Sequence, residues 1–417
     1  MMKTYLTLVI LLMSKIAGAQ DTLSLTLRQA DSLFLQRNLL ALAGRYQIEA
    51  AQAQVLQAGL FDNPTVSFEV SAYNSEAKRV LDVGGQGQKF LAVQQLIYTA
   101  GKRNKRIALA QEIGRLTEFE FRDLLRGLRF ELHSRFYDIY FQSNTVRRYD
   151  QQIATLQTTV TAFEREYDRN NVSLRELLRL RSLLFQLSND RVEIRRQLAD
   201  DRQFLRTLLS TDQPIRLLAN EAELDRYRLP NLSVDSLRDI ALQNRTDIKI
   251  TESQTRQAEL NYNLQKALAK PDLRVGASYD QAASYIPNYI GMSVTTDIPV
   301  FNRNQGAIRA ARSQISYQRQ VQQQKVFQVT NEIIAALQKV RDVEQLYQSV
   351  GGRFTEQFEQ LNRGLIDNFQ RRNISLLEFI DLFETYNENV RELNRIKADR
   401  VGAYEELDYV TGANFFN

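Results

Sequence analysis

The 417-residue chain carries 54 Lys and Arg against 49 Asp and Glu, with one His, four Met and neither Cys nor Trp. Without Cys there are no disulfides, no thiolate metal sites and no cysteine to lipidate after export, and one His rules out a multi-His metal site within one chain. The formal charge is only +5, and no basic stripe is interleaved with aromatics, which speaks against nucleic acid. Just 6 Pro and 17 Gly are present, while Gln, Arg, Leu and Glu crowd long segments, as extended helices require.

Residues 1–19 read as a cleaved export signal: Lys3 is the positive region, Tyr5 to Met13 the apolar run, and Ala17-Gly18-Ala19 the small-residue site. The run is too short for the roughly 20 residues of a spanning helix. Loss of Lys3 and Lys15 lowers the +5 by two, to +3.

Past the signal, one architecture is written twice, at 20–231 and 232–417. The second copy starts about 207 residues after the first, so that Arg28 to Tyr73 answers Asp235 to Asp280 and Asn63-Pro64 answers Lys270-Pro271. Each copy reads as an amphipathic helix (Thr26 to Leu60; Ser233 to Ala269), two strands, a very long helix (Gly101 to Arg169; Asn302 to Arg371), a polar turn and a last helix (Ser173 to Leu209; Ser375 to Val410). At 1.5 Å per residue the long helix reaches roughly 100 Å, and the two shorter ones laid end to end match it. Stripes such as Ile153, Leu156, Val160, Phe163 and Tyr167, answered by Leu177, Leu180, Leu184 and Leu187, step by three and four as packing seams do.

The strands are expected at 65–73, 89–98, 272–280 and 289–298. Val66, Phe68 and Val70 share one face, as do Leu273, Val275 and Ala277, and Ile290, Met292 and Val294; polar residues hold the other face. Residues 89–98 alternate less cleanly. Such strands suit a soluble sheet or a membrane barrel. In lipid, open edges cost several kcal/mol per unpaired group, and four strands are fewer than the eight of the smallest barrels. A spanning sheet would therefore be shared between chains, with Asn74 to Gln88 and Gln281 to Asn288 as exposed hairpin loops; residue patterns leave two, three or four chains open.

The signal, the tandem units and the segments Gln95-Leu-Ile-Tyr-Thr-Ala-Gly-Lys-Arg103 and Asp297-Ile-Pro-Val-Phe-Asn-Arg-Asn-Gln-Gly306 together resemble the TolC-like outer-membrane efflux channel family. The run from Ile298 to Gly306 is most similar to its heavy-metal cation branch, which serves resistance-nodulation-division pumps. The resemblance implies a mainly α protein with a membrane β-sheet. It further implies that three chains share a twelve-stranded barrel in the outer membrane and a twelve-helix periplasmic tunnel, working with a periplasmic adaptor and an inner-membrane pump.

It also implies that the helical turns dock on the adaptor: Asn171, Val172, Ser173 and Glu176 in the first copy, Asn373, Ile374 and Ser375 in the second. Ser173 with Glu176 and Ser375 with Glu378 equally fit the capping box, in which each side chain satisfies a free N–H at the helix start. Glu378 and Asp381 lie on one face where the first copy has Glu176 and Arg179. In the family this tip narrows the tunnel entrance, and a ring of acids there favours cations. Lys102, Arg103, Lys105 and Arg106 stand at a helix start against the dipole, and are expected at the barrel rim beside anionic headgroups. No catalytic constellation is evident and no cofactor or bound metal is expected. His133, near Phe130 and Phe136, is expected to pack or to lie at the surface, and Gly84-Gly85-Gln86-Gly87 sits in a hairpin loop rather than between a strand and a helix, so it is no phosphate cradle. Two other readings stand beside the cation duct: a duct for drugs or polypeptides, and a soluble periplasmic coiled-coil scaffold.

Overall fold

The computed structural model describes residues 22–85, 87–229, 233–283 and 286–416. The export signal and the boundary at 231/232 lie outside them. In chain order the elements are β1 (Leu23–Leu25), α1 (Leu27–Arg37), α2 (Leu39–Gly59), β2 (Thr65–Val70), β3 (Tyr73–Asn74), β4 (Arg79–Val80), β5 (Lys89–Ile97), α3 (Lys102–Asp168), α4 (Leu174–Leu208), β6 (Ile215–Leu217), a 3-10 turn (Glu221–Arg226), α5 (Val234–Asn244), α6 (Thr246–Leu268), β7 (Leu273–Asp280), β8 (Tyr289–Thr296), α7 (Gln305–Gln370) and α8 (Leu376–Thr411). They group into two compact units that each draw on both copies. The first holds the described residues of Met1–Leu42, Asp123–Arg245 and Gln328–Asn417, the second Ala43–Arg122 and Thr246–Phe327.

The first unit is helical. Ser173 with Glu176 and Ser375 with Glu378 form the complete capping boxes that the sequence pattern singles out, and Thr26 with Gln29 forms a third that the pattern did not single out. Its core includes Leu132, Phe136, Leu180, Ile333, Val340, Phe383 and Leu407, all under 1% exposed. Phe163 stacks on Phe369 at 5.5 Å, Phe369 on Phe379 at 4.3 Å, and Phe379 packs against Phe383 at 5.5 Å. The seam expected through Leu184 is carried instead by buried Leu183, and Tyr167 is exposed. A parallel ladder pairs β1 with β6, Leu23 opposite Ile215; neither short strand is evident in the sequence.

The expected single helices Thr26 to Leu60 and Ser233 to Ala269 are each broken, at Asn38 and Arg245. Both residues take extended backbone and close the preceding helix. Asn38 Nδ2 donates to the Leu208 carbonyl at 2.8 Å while its Oδ1 accepts from the Ala41 N–H at 2.8 Å. Arg245 Nη1 donates to the Val410 carbonyl at 2.9 Å and to Glu332 at 2.6 Å. The two breaks answer each other: each ties a short helix to the carbonyl end of its copy's last helix. Gly412 ends α8 at φ 64, and a Cβ there would stand 3.2 Å from the Arg245 backbone nitrogen, so this position needs glycine.

The second unit holds a four-stranded antiparallel sheet in the order β2-β5-β7-β8. Its strands stop short of expectation. β2 ends at Val70, after which Tyr73-Asn74 pairs with Arg79-Val80 as a separate two-stranded ladder, so Asn74 to Gln88 is more than a loop. β7 starts at Leu273 because the Asp272 carboxylate is held by Lys102 and the Thr99 N–H. β8 ends at Thr296, shortly before Pro299, which has no N–H to give a ladder. α3 enters this unit at Lys102, one residue after Gly101 at φ 67; its counterpart before α7 is Asn304, at φ 56.

Candidate functional site

The sheet separates oil from water. In an antiparallel pair, residues directly opposite share a face. The registers Val66↔Val93, Phe68↔Leu91, Val93↔Ala277, Leu91↔Tyr279, Ile97↔Leu273, Val275↔Val294, Ala277↔Met292 and Tyr279↔Ile290 therefore build one continuous apolar face across all four strands. All nine residues expected to face lipid lie on it. Phe68 is 68% exposed, Ile290 77% and Met292 88%, which is far from how a water-soluble sheet treats its oily face. The opposite face carries Thr65, Ser67 and Glu69, Gln94, Arg274, Ser278 and Asp280, Ser293 and Thr295. The weakly alternating 89–98 segment is resolved by its partners: Leu91, Val93 and Ile97 are on the apolar side and Gln95 interrupts it.

Beyond the strands, Asp82 organises the glycine-rich turn. Its carboxylate accepts from Asn74 Nδ2 at 2.9 Å and from the Gly84 N–H at 3.0 Å, and a Cβ on Gly87 would fall on its carbonyl. Gln281 Nε2 donates to the Gly84 and Gly85 carbonyls at 3.0 Å, tying one hairpin to the other. Gln86 itself lies outside the described residues.

The basic cluster is engaged within its own unit. Lys102 is 2% exposed; its Nζ lies 2.7 Å from Asp272 and donates to the Lys270 carbonyl at 2.6 Å. Arg103 Nε donates to the Gly59 carbonyl, the end of α2, at 2.8 Å and covers the Phe61 ring. Lys105 donates to the Ala100 carbonyl at 2.7 Å, and Arg106 lies over Tyr98. Four cations at a helix start are thus offset by carbonyl ends, a carboxylate and aromatic faces.

The two helical turns are built alike. Asn170 and Arg372 take the left-handed conformation at φ 60 and 59. The Asn171 N–H reaches the Glu166 carbonyl at 2.9 Å and the Asn373 N–H the Asn368 carbonyl at 2.8 Å, closing both helices by the same motif. Asn171 Nδ2 donates to Glu166 and Asn373 Nδ2 to Asn368. Ser173 and Ser375 lead the next helices, and Val172 and Ile374 are half-buried. The Ser375 N–H and hydroxyl hold the Glu378 carboxyl below the usual range, as Ser173 does for Glu176. Glu378 therefore spends part of its charge on the cap, while Asp381 is exposed one turn on.

His133 is buried between carboxylates, the packing alternative of its two readings. Nδ1 lies 2.8 Å from Glu405 Oε2 and Nε2 3.0 Å from Asp31 Oδ2, and the Tyr227 hydroxyl donates to Glu405 at 2.6 Å. Burial pushes the imidazole pKa down, but the two acids outweigh it and raise it to about 9. Both ring nitrogens are occupied, so the residue has no free edge for chemistry. Among the described residues no group of His, Cys, Asp and Glu is placed to hold a metal ion, and no helix is long and apolar enough to cross a membrane.

No protein-family model matches the chain, and no curated protein matches it. Solved structures do. A membrane protein from Pseudomonas aeruginosa superposes at a TM-score of 0.75 with 14% identity over 95% of this chain and 93% of that one. CusC, described as forming a transmembrane channel, gives 0.74 and 16% over 93% and 92%. The Campylobacter jejuni CmeC outer membrane channel gives 0.74 and 13% over 93% and 85%. With the oily sheet and twin capped turns, this likeness fixes the fold: the chain has the TolC-like fold of these membrane proteins.

Proposed function

We propose that this chain is one subunit of a trimeric outer-membrane efflux duct, which passively conducts cargo from an inner-membrane pump and periplasmic adaptor to the exterior. The observation that carries the reading is the four-stranded sheet whose apolar face is exposed and whose outer strands have no outer neighbour among the described residues. Such a sheet is at rest only when closed in lipid. In this reading energy and selection belong to the pump. The turns at Asn171, Val172, Ser173 and Glu176 and at Asn373, Ile374 and Ser375 are the proposed adaptor contacts, and Glu378 with Asp381 the proposed acidic ring.

The Ile298 to Gly306 run favours heavy-metal cations as cargo. Deleting the gene and scoring survival on zinc, cobalt, nickel, copper and common antibiotics tests this. Sensitivity to metals alone is the expected result; sensitivity to antibiotics alone would move the cargo to drugs. Loss of neither, with the purified protein giving no conductance in planar bilayers, would remove the duct reading itself.

A further inference from the structure

The internal repeat specifies how one copy of this chain meets the next. First strands are related by 207 positions, Val66 answering Leu273. Second strands are related by 203, as both the hairpin registers (Val66↔Val93 against Leu273↔Thr296) and the helix starts Lys102 and Gln305 require. The seam between the copies is β5·β7, with Ile97 opposite Leu273 and Phe90 opposite Asp280. Among the described residues, β2 and β8 have no strand on their outer sides. We infer that β8 of one chain pairs with β2 of a second copy by repeating the β5·β7 seam. That places Val300 opposite Val66, Ile298 opposite Phe68, Asp297 opposite Glu69 and Thr296 opposite Val70. The inference rests on the shared-barrel reading above.

Three independent features agree. The first is the length of the strands. β5 pairs with β2 only over Lys89 to Gln94 but continues to Ile97 because β7 lies beside it. Its counterpart β8 stops at Thr296, although the repeat carries it to Val300. The residues left over, Asp297 to Val300, are those that only a second copy would pair.

The second is backbone direction. The Ser71 N–H bonds to the Gln88 carbonyl and the Gln281 N–H to the Lys89 carbonyl. By antiparallel alternation Val66, Phe68 and Val70 then aim their amides away from β5, and Thr296, Ile298 and Val300 aim theirs away from β7. The inferred register opposes these two sets. Pro299 falls at a position whose nitrogen faces away from the partner, where an edge strand accepts proline. The Val300 N–H, now in a tight turn to the Ile298 carbonyl at 2.9 Å, exchanges that bond for one across the seam.

The third is side-chain chemistry. Val66 (63% exposed), Phe68 (68%), Ile298 (75%) and Val300 (57%) meet on the apolar face. The register brings Glu69 opposite Asp297, and Arg274, 3.2 Å from Asp297 Oδ2, is the cation at hand to offset the two charges.

The chain has no native Cys, so cysteine pairs report the register directly. Glu69 and Asp297 form a non-hydrogen-bonded pair in it, the type with the closer Cα atoms and within disulfide reach. The double variant Glu69→Cys/Asp297→Cys, oxidised in membranes, is expected to give covalent dimers and trimers on non-reducing gels. Ser67→Cys/Asp297→Cys and Ser71→Cys/Asp297→Cys, shifted by two, are expected to give at least tenfold less. Each sample is also sized in detergent. A ladder from a shifted pair overturns this register and leaves the shared sheet standing. No ladder from an intact oligomer overturns the β8·β2 seam, and no ladder from a monomer overturns the shared barrel with it.

Discussion

His133 is the clearest residue whose role lies in the fold rather than in any chemistry. Its folded pKa of about 9 lies above the ordinary 6.5, so its contribution is fully present below about 6.5 and is lost as pH rises through 9. Glu405 is buried and Asp31 half-buried, which raises a carboxyl, but the His133 contact outweighs burial and holds both low. Their contribution is present above the ordinary 3.8 and 4.5 and is lost as pH falls through the folded values. Replacing His133 by Gln leaves buried Glu405 and half-buried Asp31 facing each other, at a cost of roughly 3 kcal/mol near pH 6. In urea titrations the gap between wild type and His133→Gln is expected to be largest between about pH 5 and 6.5 and to close toward pH 9.5. A gap independent of pH would contradict the charged imidazole. None of this was readable from the sequence, because Asp31 and Glu405 lie 102 and 272 positions away.

Among the elements, helix ends were legible and helix breaks were not. Ser173 and Ser375 announce their helices through a Glu three residues on, a local signal. Asn38 and Arg245 carry no such signal, being neither Pro nor Gly, and they break the helices by reaching carbonyls 170 and 165 residues away. Asn38→Ala is therefore expected to cost about 2 kcal/mol, leaving a carbonyl and the first turn of α2 unsatisfied. Ser375→Ala should cost about 1 kcal/mol and only fray the start of α8. Hydrogen exchange separates the two: Asn38→Ala speeds exchange at α2 and at the end of α4, Ser375→Ala at the turn alone. Asp381 makes the cleaner probe of the proposed acidic ring, since Glu378 also serves the cap. Asp381→Asn is expected to lower cation over anion selectivity in planar bilayers by a few-fold while leaving stability unchanged; unaltered selectivity would remove Asp381 from the ring.

For the whole molecule, the tandem order of helix, strand, strand, long helix and helix was legible because each element repeats its period twice. The register of 89–98 was not, since Lys89 and Gln95 interrupt its oily face and only the pairing with β2 and β7 sets its phase. The basic cluster was visible as charge, but its internal partners Asp272, Lys270 and Gly59 became apparent only once the chain was folded. Chain number is invisible to periodicity altogether; the proposed three chains rest on outer strands β2 and β8, which have no outer neighbour among the described residues, together with the family resemblance. The central claim is that these outer strands are satisfied by other copies within a membrane. Its most direct test is membrane fractionation followed by sizing in detergent. The account predicts an outer-membrane protein whose polypeptide mass is close to three times the chain's 48.2 kDa, less any cleaved leader. A monomer in the soluble fraction would contradict it.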